Sequence, residues 1–196
     1  HTLGPIIHNP QVVGKLAERN VTPVDSLDDV KEGETILIRS HGVGPSVYEE
    51  AEKKGLRVID ATCPHVKKAQ KDAKEIIENK KNLIIIGEKS HPEVISISQW
   101  GANRAIILDR EENARALPPM EEAGVVVQTT FSQQQFARIR SILEEKVKHL
   151  EVHMTICTAT QQRQQSAVEL AKTMDAMIVI GGKNSANTGR LAQVCR

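Results

Sequence analysis

Two cysteines, three histidines and a glutamate stand where apolar runs give way to polar segments. Cys63 follows Val58-Ile59-Asp60-Ala61-Thr62, and Cys157 follows Met154-Thr155-Ile156. Three other runs end on Ile7-His8-Asn9, Ser40-His41-Gly42 and Ser90-His91-Pro92-Glu93, and a fourth on Lys183-Asn184-Ser185-Ala186-Asn187. In a parallel α/β sheet, ligands bind at the C-terminal ends of the strands. Thiols, imidazoles, a carboxylate and an amide aimed at one such place suit an anionic ligand beside a thiolate-bound metal centre.

Each residue also has a plainer reading. Cys63 precedes Pro64 at a helix start, where backbone N–H groups and the helix dipole favour thiolate. Free cysteines are also among the most buried residues, but two in matching strand-to-helix positions favour metal ligation. Cys195, within Leu191-Ala192-Gln193-Val194-Cys195, reads as helix packing. No CxxC pair occurs, so a structural zinc site is weakly supported. Thiolates contributed singly fit an iron–sulfur cluster better, although closely spaced runs are the commoner cluster signature.

His8, His41 and His91, partly protonated, would pair with phosphate oxygens, and Gly42 and Gly44 would let backbone approach such an anion. Ser185 and Asn187 add donors at a further junction, or simply cap a helix. Glu93 in a partly closed pocket would have a raised pKa and deliver a proton; pairing with a helix dipole is the common alternative. Thr129 and Thr130 would position Glu93 or the substrate, or cap the next helix. His65, His149 and His153 lack this setting and read as ordinary. No GxxxxGK[ST] or GxGxxG motif indicates a nucleotide fold.

The elements that must carry these residues alternate. Ile36–Ile38, Arg57–Ile59, Leu83–Ile86, Ala105–Leu108, Val125–Val127 and Met177–Ile180 are short apolar runs without strict alternation, as strands buried on both faces read. Between them lie amphipathic helices: one with Val66, Ala69, Ala73, Ile76 and Ile77 inward, one capped by Ser132 with Phe136, Ile139, Leu143 and Val147 inward, and one over Gln161–Thr173. Arg110–Gly124, with Pro118-Pro119, reads as a surface loop. The pattern predicts an α/β protein of three small βαβ-type subdomains with parallel sheets around a central site: residues 1–62, 63–155 and 156–196, the third incomplete.

Composition narrows the function. Of 196 residues, 39% are apolar and 26% charged, enough for a real core. A net charge of +1 and 2% aromatics argue against nucleic acid and anionic membrane surfaces. No apolar run is long enough to span a bilayer. The chain opens on His1 rather than Met, and no signal peptide is visible. Three cysteines without a paired framework suggest a reducing cytosol.

Together, Ile7-His8-Asn9, Arg39-Ser40-His41-Gly42-Val43, Asp60-Ala61-Thr62-Cys63-Pro64, Gly87-Glu88-Lys89-Ser90-His91-Pro92-Glu93, Gln128-Thr129-Thr130, Thr155-Ile156-Cys157-Thr158-Ala159-Thr160 and Lys183–Asn187 with Arg190-Leu191 resemble, in order, the 4-hydroxy-3-methylbut-2-enyl diphosphate reductases. These are the last enzymes of the methylerythritol phosphate route to isoprenoids. The resemblance implies three subdomains around a 4Fe-4S-type cluster, with Cys63 and Cys157 as two ligands and a third cysteine outside this chain. It implies that His8, His41, His91, Ser185 and Asn187 hold an allylic diphosphate. Glu93 would relay a proton to the substrate hydroxyl, helped by His91 and by Thr129 or Thr130. It also implies an electron donor such as ferredoxin or flavodoxin, and a cytoplasmic (or plastid) location. A metal- or thiol-dependent hydrolase and a non-catalytic module binding a phosphorylated small molecule are the alternatives.

Overall fold

Five consecutive residues explain most of the second half of the molecule. In the strand Asn82–Ile86, every residue after Asn82 is buried. Successive side chains point to opposite faces, so Ile84 and Ile86 enter one apolar cluster while Leu83 and Ile85 enter another. Such a strand needs helices on both faces of its sheet. A computed structural model of the chain, describing residues 1–182 and 185–196, supplies them.

The chain runs β1 (Thr2–Leu3), α1 (Pro10–Ala17), β2 (Pro23–Val24), a 3₁₀ turn (Leu27–Asp29), β3 (Thr35–Ile38), α2 (Pro45–Lys53), β4 (Arg57–Asp60), α3 (Pro64–Glu78), β5 (Asn82–Ile86) and α4 (Pro92–Trp100). It continues with β6 (Ile106–Leu108), α5 (Glu111–Arg115), β7 (Met120–Val127), α6 (Gln133–Lys146), β8 (Val147–His153), α7 (Thr158–Ala171) and α8 (Ala186–Val194). The strands form two four-stranded sheets, ordered β2-β1-β3-β4 and β6-β5-β7-β8. Every pairing is parallel. The α/β class with parallel sheets is therefore as expected.

In the second sheet, Ile84, Ile86, Val125 and Val127 meet Phe136, Ile139 and Leu143 of α6. On the opposite face, Leu83, Ile85 and Val126 meet Ala69, Ala73 and Ile76 of α3, with Val94 and Ile97 of α4. Helix α3 thus leaves the end of the first sheet at Cys63 and packs on the second. Gly124 permits that packing, since a Cβ there would lie 2.5 Å from Ile76 Cγ1.

Four expectations fail. Arg110–Gly124 is not a loop: it holds α5 and the first half of β7, which pairs with β5 and β8. Pro118-Pro119 stands just before the strand and hid it. Val147 belongs to β8 rather than to the preceding helix, because the chain turns extended there (φ −117°, ψ 118°). Met177–Ile180 forms no strand among the described residues, and Ile178 and Ile180 are largely exposed. Finally, β4 is an edge strand with Ile59 48% exposed, so it is not buried on both faces.

Candidate active site

Proline sets the direction of several site residues. Helices α1, α2, α3 and α4 all carry proline in their first turn, where its missing N–H costs nothing. A residue before proline is pushed out of the helical region. Cys63 (φ −55°, ψ 134°) and His91 (φ −71°, ψ 133°) accordingly turn extended at the junction. Cys157, with no proline after it, adopts the same conformation (φ −64°, ψ 131°). Neither cysteine side chain makes a capping hydrogen bond, and both thiols are free.

These junctions open onto one cavity of about 220 Å³. Its walls include Cys63 and Cys157, His8, His41 and His91, Glu93 with Thr129 and Thr130, and Ser185 and Asn187. Every site residue expected from the sequence therefore borders one space. Lys183 and Asn184, from the same segment as Ser185, lie outside the described residues. Ser185 also caps α8, accepting from Thr188 N at 3.4 Å, so the plainer reading of that loop holds as well. Cys195 lies elsewhere, at the end of α8 with its Sγ 3.9 Å from Ala167 O. A larger cleft of about 430 Å³ beside Tyr48 and Trp100 contains no thiol, and its Asp60 is already paired with Lys67 at 2.7 Å.

The three histidines form a cluster. Ring centroids are 4.7 Å apart for His8–His41, 5.5 Å for His41–His91 and 6.2 Å for His8–His91. One nitrogen from each lies within 4.8 Å of the others. His91 Nδ1 accepts from Glu93 N (3.2 Å), which places the proton of a neutral ring on Nε2. Burial, then the neighbouring His8, His91 and Arg39, holds His41 down to about 3. Burial, then His8 and Arg39, holds His91 down to about 4. Burial and Arg39 also lower His8. The imidazoles of the free site are therefore neutral near pH 7, not partly protonated as the sequence suggested.

Glu93 is 2% exposed. Its Oε1 accepts from Thr129 N at 2.6 Å and its Oε2 from Thr129 Oγ1 at 2.9 Å. Burial outweighs those two bonds and pushes the carboxyl up to about 7. That suits a group that both holds and releases a proton near neutrality. Thr130 is engaged differently, accepting from Gln128 Nε2 at 3.0 Å.

Thr155 holds the Cys157 turn in place. Its Oγ1 accepts from Val127 N at 2.9 Å and donates to Val127 O, extending the β7 ladder with a side chain. Cys157 N then donates to Thr129 O at 2.9 Å. One residue, Thr129, thus joins the carboxylate of Glu93 to the backbone of Cys157.

Sequence reasoning missed four residues. Ser40, Thr160 and Arg163 also border the cavity. The spacing Cys157, Thr160, Arg163 was the available signal, since residues three apart share a helix face. Arg39 stands behind the histidines; its Nε is buried without a hydrogen-bond partner, and no acidic side chain pairs with it among the described residues. A cation so placed favours an anionic ligand over a metal ion at the histidines.

The profile of the LytB protein family matches residues 1–196. A Thermoanaerobacter sp. (strain X514) protein named 4-hydroxy-3-methylbut-2-enyl diphosphate reductase is 44% identical over 197 residues, covering all of this chain and 68% of its own length. A Pelobacter propionicus protein of the same name is 46% identical, with 100% and 69% covered. The structure of the E-1-hydroxy-2-methyl-but-2-enyl-4-diphosphate reductase from Plasmodium falciparum superposes with TM-score 0.94 at 31% identity, covering 99% of this chain and 62% of that one. A second solved reductase, titled the terminal enzyme of the non-mevalonate pathway, gives TM-score 0.75 at 39% identity, covering 99% and 70%. The chain belongs to the LytB family, the family of the 4-hydroxy-3-methylbut-2-enyl diphosphate reductases.

Proposed function

We propose that this chain binds 4-hydroxy-3-methylbut-2-enyl diphosphate and takes part in its two-electron reductive dehydroxylation to isopentenyl and dimethylallyl diphosphate. One observation supports this above the others. A buried acid poised near neutrality shares its cavity with two uncommitted thiols and a histidine cluster.

His8, His41, Ser185 and Asn187 would grip the diphosphate, with His91 between it and the substrate hydroxyl. Proton uptake by the imidazoles turns neutral contacts into charge-assisted hydrogen bonds, the stronger kind. The grip fixes the allylic end against Glu93, so that positioning contributes to the rate. Glu93 delivers its proton to the hydroxyl, which leaves as water. The N–H and hydroxyl of Thr129 stabilise the carboxylate that remains. Two electrons and two protons balance the reaction: one proton departs in the water, and the other is added to the allyl carbon framework.

The donor set fits an iron–sulfur group. Two soft, free thiols come singly from distant strand ends and face the same cavity. Cys63 and Cys157 would be its ligands. When bound, such a cluster would pass on the electrons and supply Lewis acidity toward the allylic oxygen. An electron donor such as ferredoxin or flavodoxin would recharge it. No helix among the described residues is long and apolar enough to cross a membrane, and a cytoplasmic or plastid location is proposed. So is the division into units at residues 1–62, 63–155 and 156–196, supported by the departure of α3 at Cys63.

The close histidine nitrogens favour one second reading, a metal-dependent hydrolase of a phosphorylated substrate. Anaerobic purification of the full-length protein separates the two. A brown protein that oxidises reduced methyl viologen only when given the allylic diphosphate supports the reductase. A colourless, zinc-loaded protein without such turnover overturns it.

A further inference from the structure

Three segments that carry site residues converge on a single hydroxyl. Ser96 lies one turn after Glu93 on α4 and is 1% exposed. Its Oγ is 2.9 Å from Glu93 O on its own helix and 2.9 Å from His41 O, on a loop of the other sheet. Gln70, on the helix that begins beside Cys63, is 5% exposed and donates its Nε2 to the same Oγ at 3.2 Å. The loop comes unusually close to this point. Gly42 has φ +70°, and a Cβ there would run into the Gln70 amide.

A serine bonded to a carbonyl three residues back is ordinary in a helix. The other two partners are not explained that way, being 26 and 55 residues distant in sequence. Further along α4, Trp100 Nε1 donates to Val43 O at 2.9 Å and Gln99 packs against Gly44, fixing the rest of the same loop.

From this geometry we infer that Ser96 and Gln70 are positioning residues: their hydrogen-bonded joint sets the distance between the His41 anion grip and the Glu93 proton site. The inference rests on the proposed reading of the histidines as a diphosphate grip. Neither residue touches the cavity's reacting groups. Each acts through the backbone that carries them.

The test measures inorganic pyrophosphate binding by calorimetry on the chain itself, at a temperature where melting curves show each variant folded. If the wild-type chain does not bind pyrophosphate, the grip itself is refuted and the joint with it. If it binds, Ser96→Ala should weaken affinity on the order of tenfold, the scale of one displaced contact. Gln70→Glu, whose carboxylate cannot donate to Ser96 Oγ, should weaken it similarly. The double variant should be no worse than either single, because both break the same joint. Ser96→Thr keeps a hydroxyl within reach of His41 O and Gln70 Nε2 and should restore most of the affinity. In the full-length, cluster-loaded protein, the Ser96→Ala change should raise KM more than it lowers kcat and leave the pH profile in place. Wild-type pyrophosphate affinity in both Ser96→Ala and Gln70→Glu, with only the melting temperature lowered, would reduce the joint to packing and overturn the inference. Additive losses in the double variant would overturn it as well.

Discussion

Replacing Glu93 by glutamine separates the cost of this carboxylate from its use. Burial raises the acid from 4.5 to about 7. In the unfolded chain it ionises near its ordinary value. Below pH 4.5 the group is neutral in both states and costs nothing. As pH rises towards 7 the unfolded state ionises freely while the folded state resists, so stability is lost across that window. The loss is on the order of 3 kcal/mol once pH exceeds 7. Glutamine has the same shape and nothing to ionise. Its amide oxygen can still accept from Thr129 N, and its NH₂ can donate to Thr129 Oγ1, so neither Thr129 group is orphaned. The variant should therefore melt roughly 6–12 °C above wild type at pH 8 and close to it at pH 4.5, by the usual 2–4 °C per kcal/mol for a chain of this size. Turnover in the full-length protein should fall by about 10²–10⁴, the usual worth of a positioned proton donor. Melting curves from pH 4.5 to 8.5 and a reduced methyl viologen assay give both readouts. Parallel stability profiles would refute the raised acid, and wild-type turnover would remove Glu93 from the chemistry.

Pyrophosphate binding should take up protons at pH 6, because His41 and His91, held to about 3 and about 4, are neutral there until the anion arrives. Calorimetry in buffers of different ionisation heat checks this, and zero uptake would mean the histidines bind as neutral donors. The same depressed values make the free protein acid-sensitive: stability present above 6.5 is lost as pH falls towards about 4, a loss that pyrophosphate should offset in acid melting curves. Thr155→Val should destabilise by about 1–3 kcal/mol in urea titration, since it orphans the buried N–H and C=O of Val127 at nearly constant volume. Gly124→Ala should cost about 1–3 kcal/mol by overpacking Ile76 across the β7–α3 contact. An unchanged urea midpoint would show that α3 shifts freely on the sheet.

The legible parts of the fold were those with one physical cause. Leu83–Ile86 and Val125–Val127 read as doubly covered strands because helices do cover both their faces. Arg57–Ile59 has the same apolar character, yet edge position is set by which strand pairs beyond it, and nothing local records that. Strand β8 was hidden because Val147 continues the apolar spacing of α6, and the change from helical to extended backbone at that residue has no local marker. The site was more legible than the fold around it. Prolines and strand ends mark where backbone turns outward, so chemistry-bearing residues at such junctions can be read directly as candidates. Arg39 was illegible for a different reason: an arginine in a sequence is usually solvated, and only the folded surroundings show that the Nε of this one is buried without a partner.

The hydrogen bonds that join these junctions lie beyond any periodic signal. Ser96 looks like one more polar residue on an amphipathic helix, and Gln70 like one more on α3. Ser96 is buried where it donates to the backbone carbonyl of His41, and Gln70 is buried where it donates to Ser96 Oγ. A loop carbonyl left there unpaired would cost about as much as a lost hydrogen bond, so Ser96 answers to the loop, and Gln70 to Ser96, rather than to their own helices. Such residues can be recognised only after the loop is in place. They also tie the His41 loop of one sheet to the Glu93 helix of the other, and loosening that joint should therefore weaken the proposed anion grip before it unfolds either sheet.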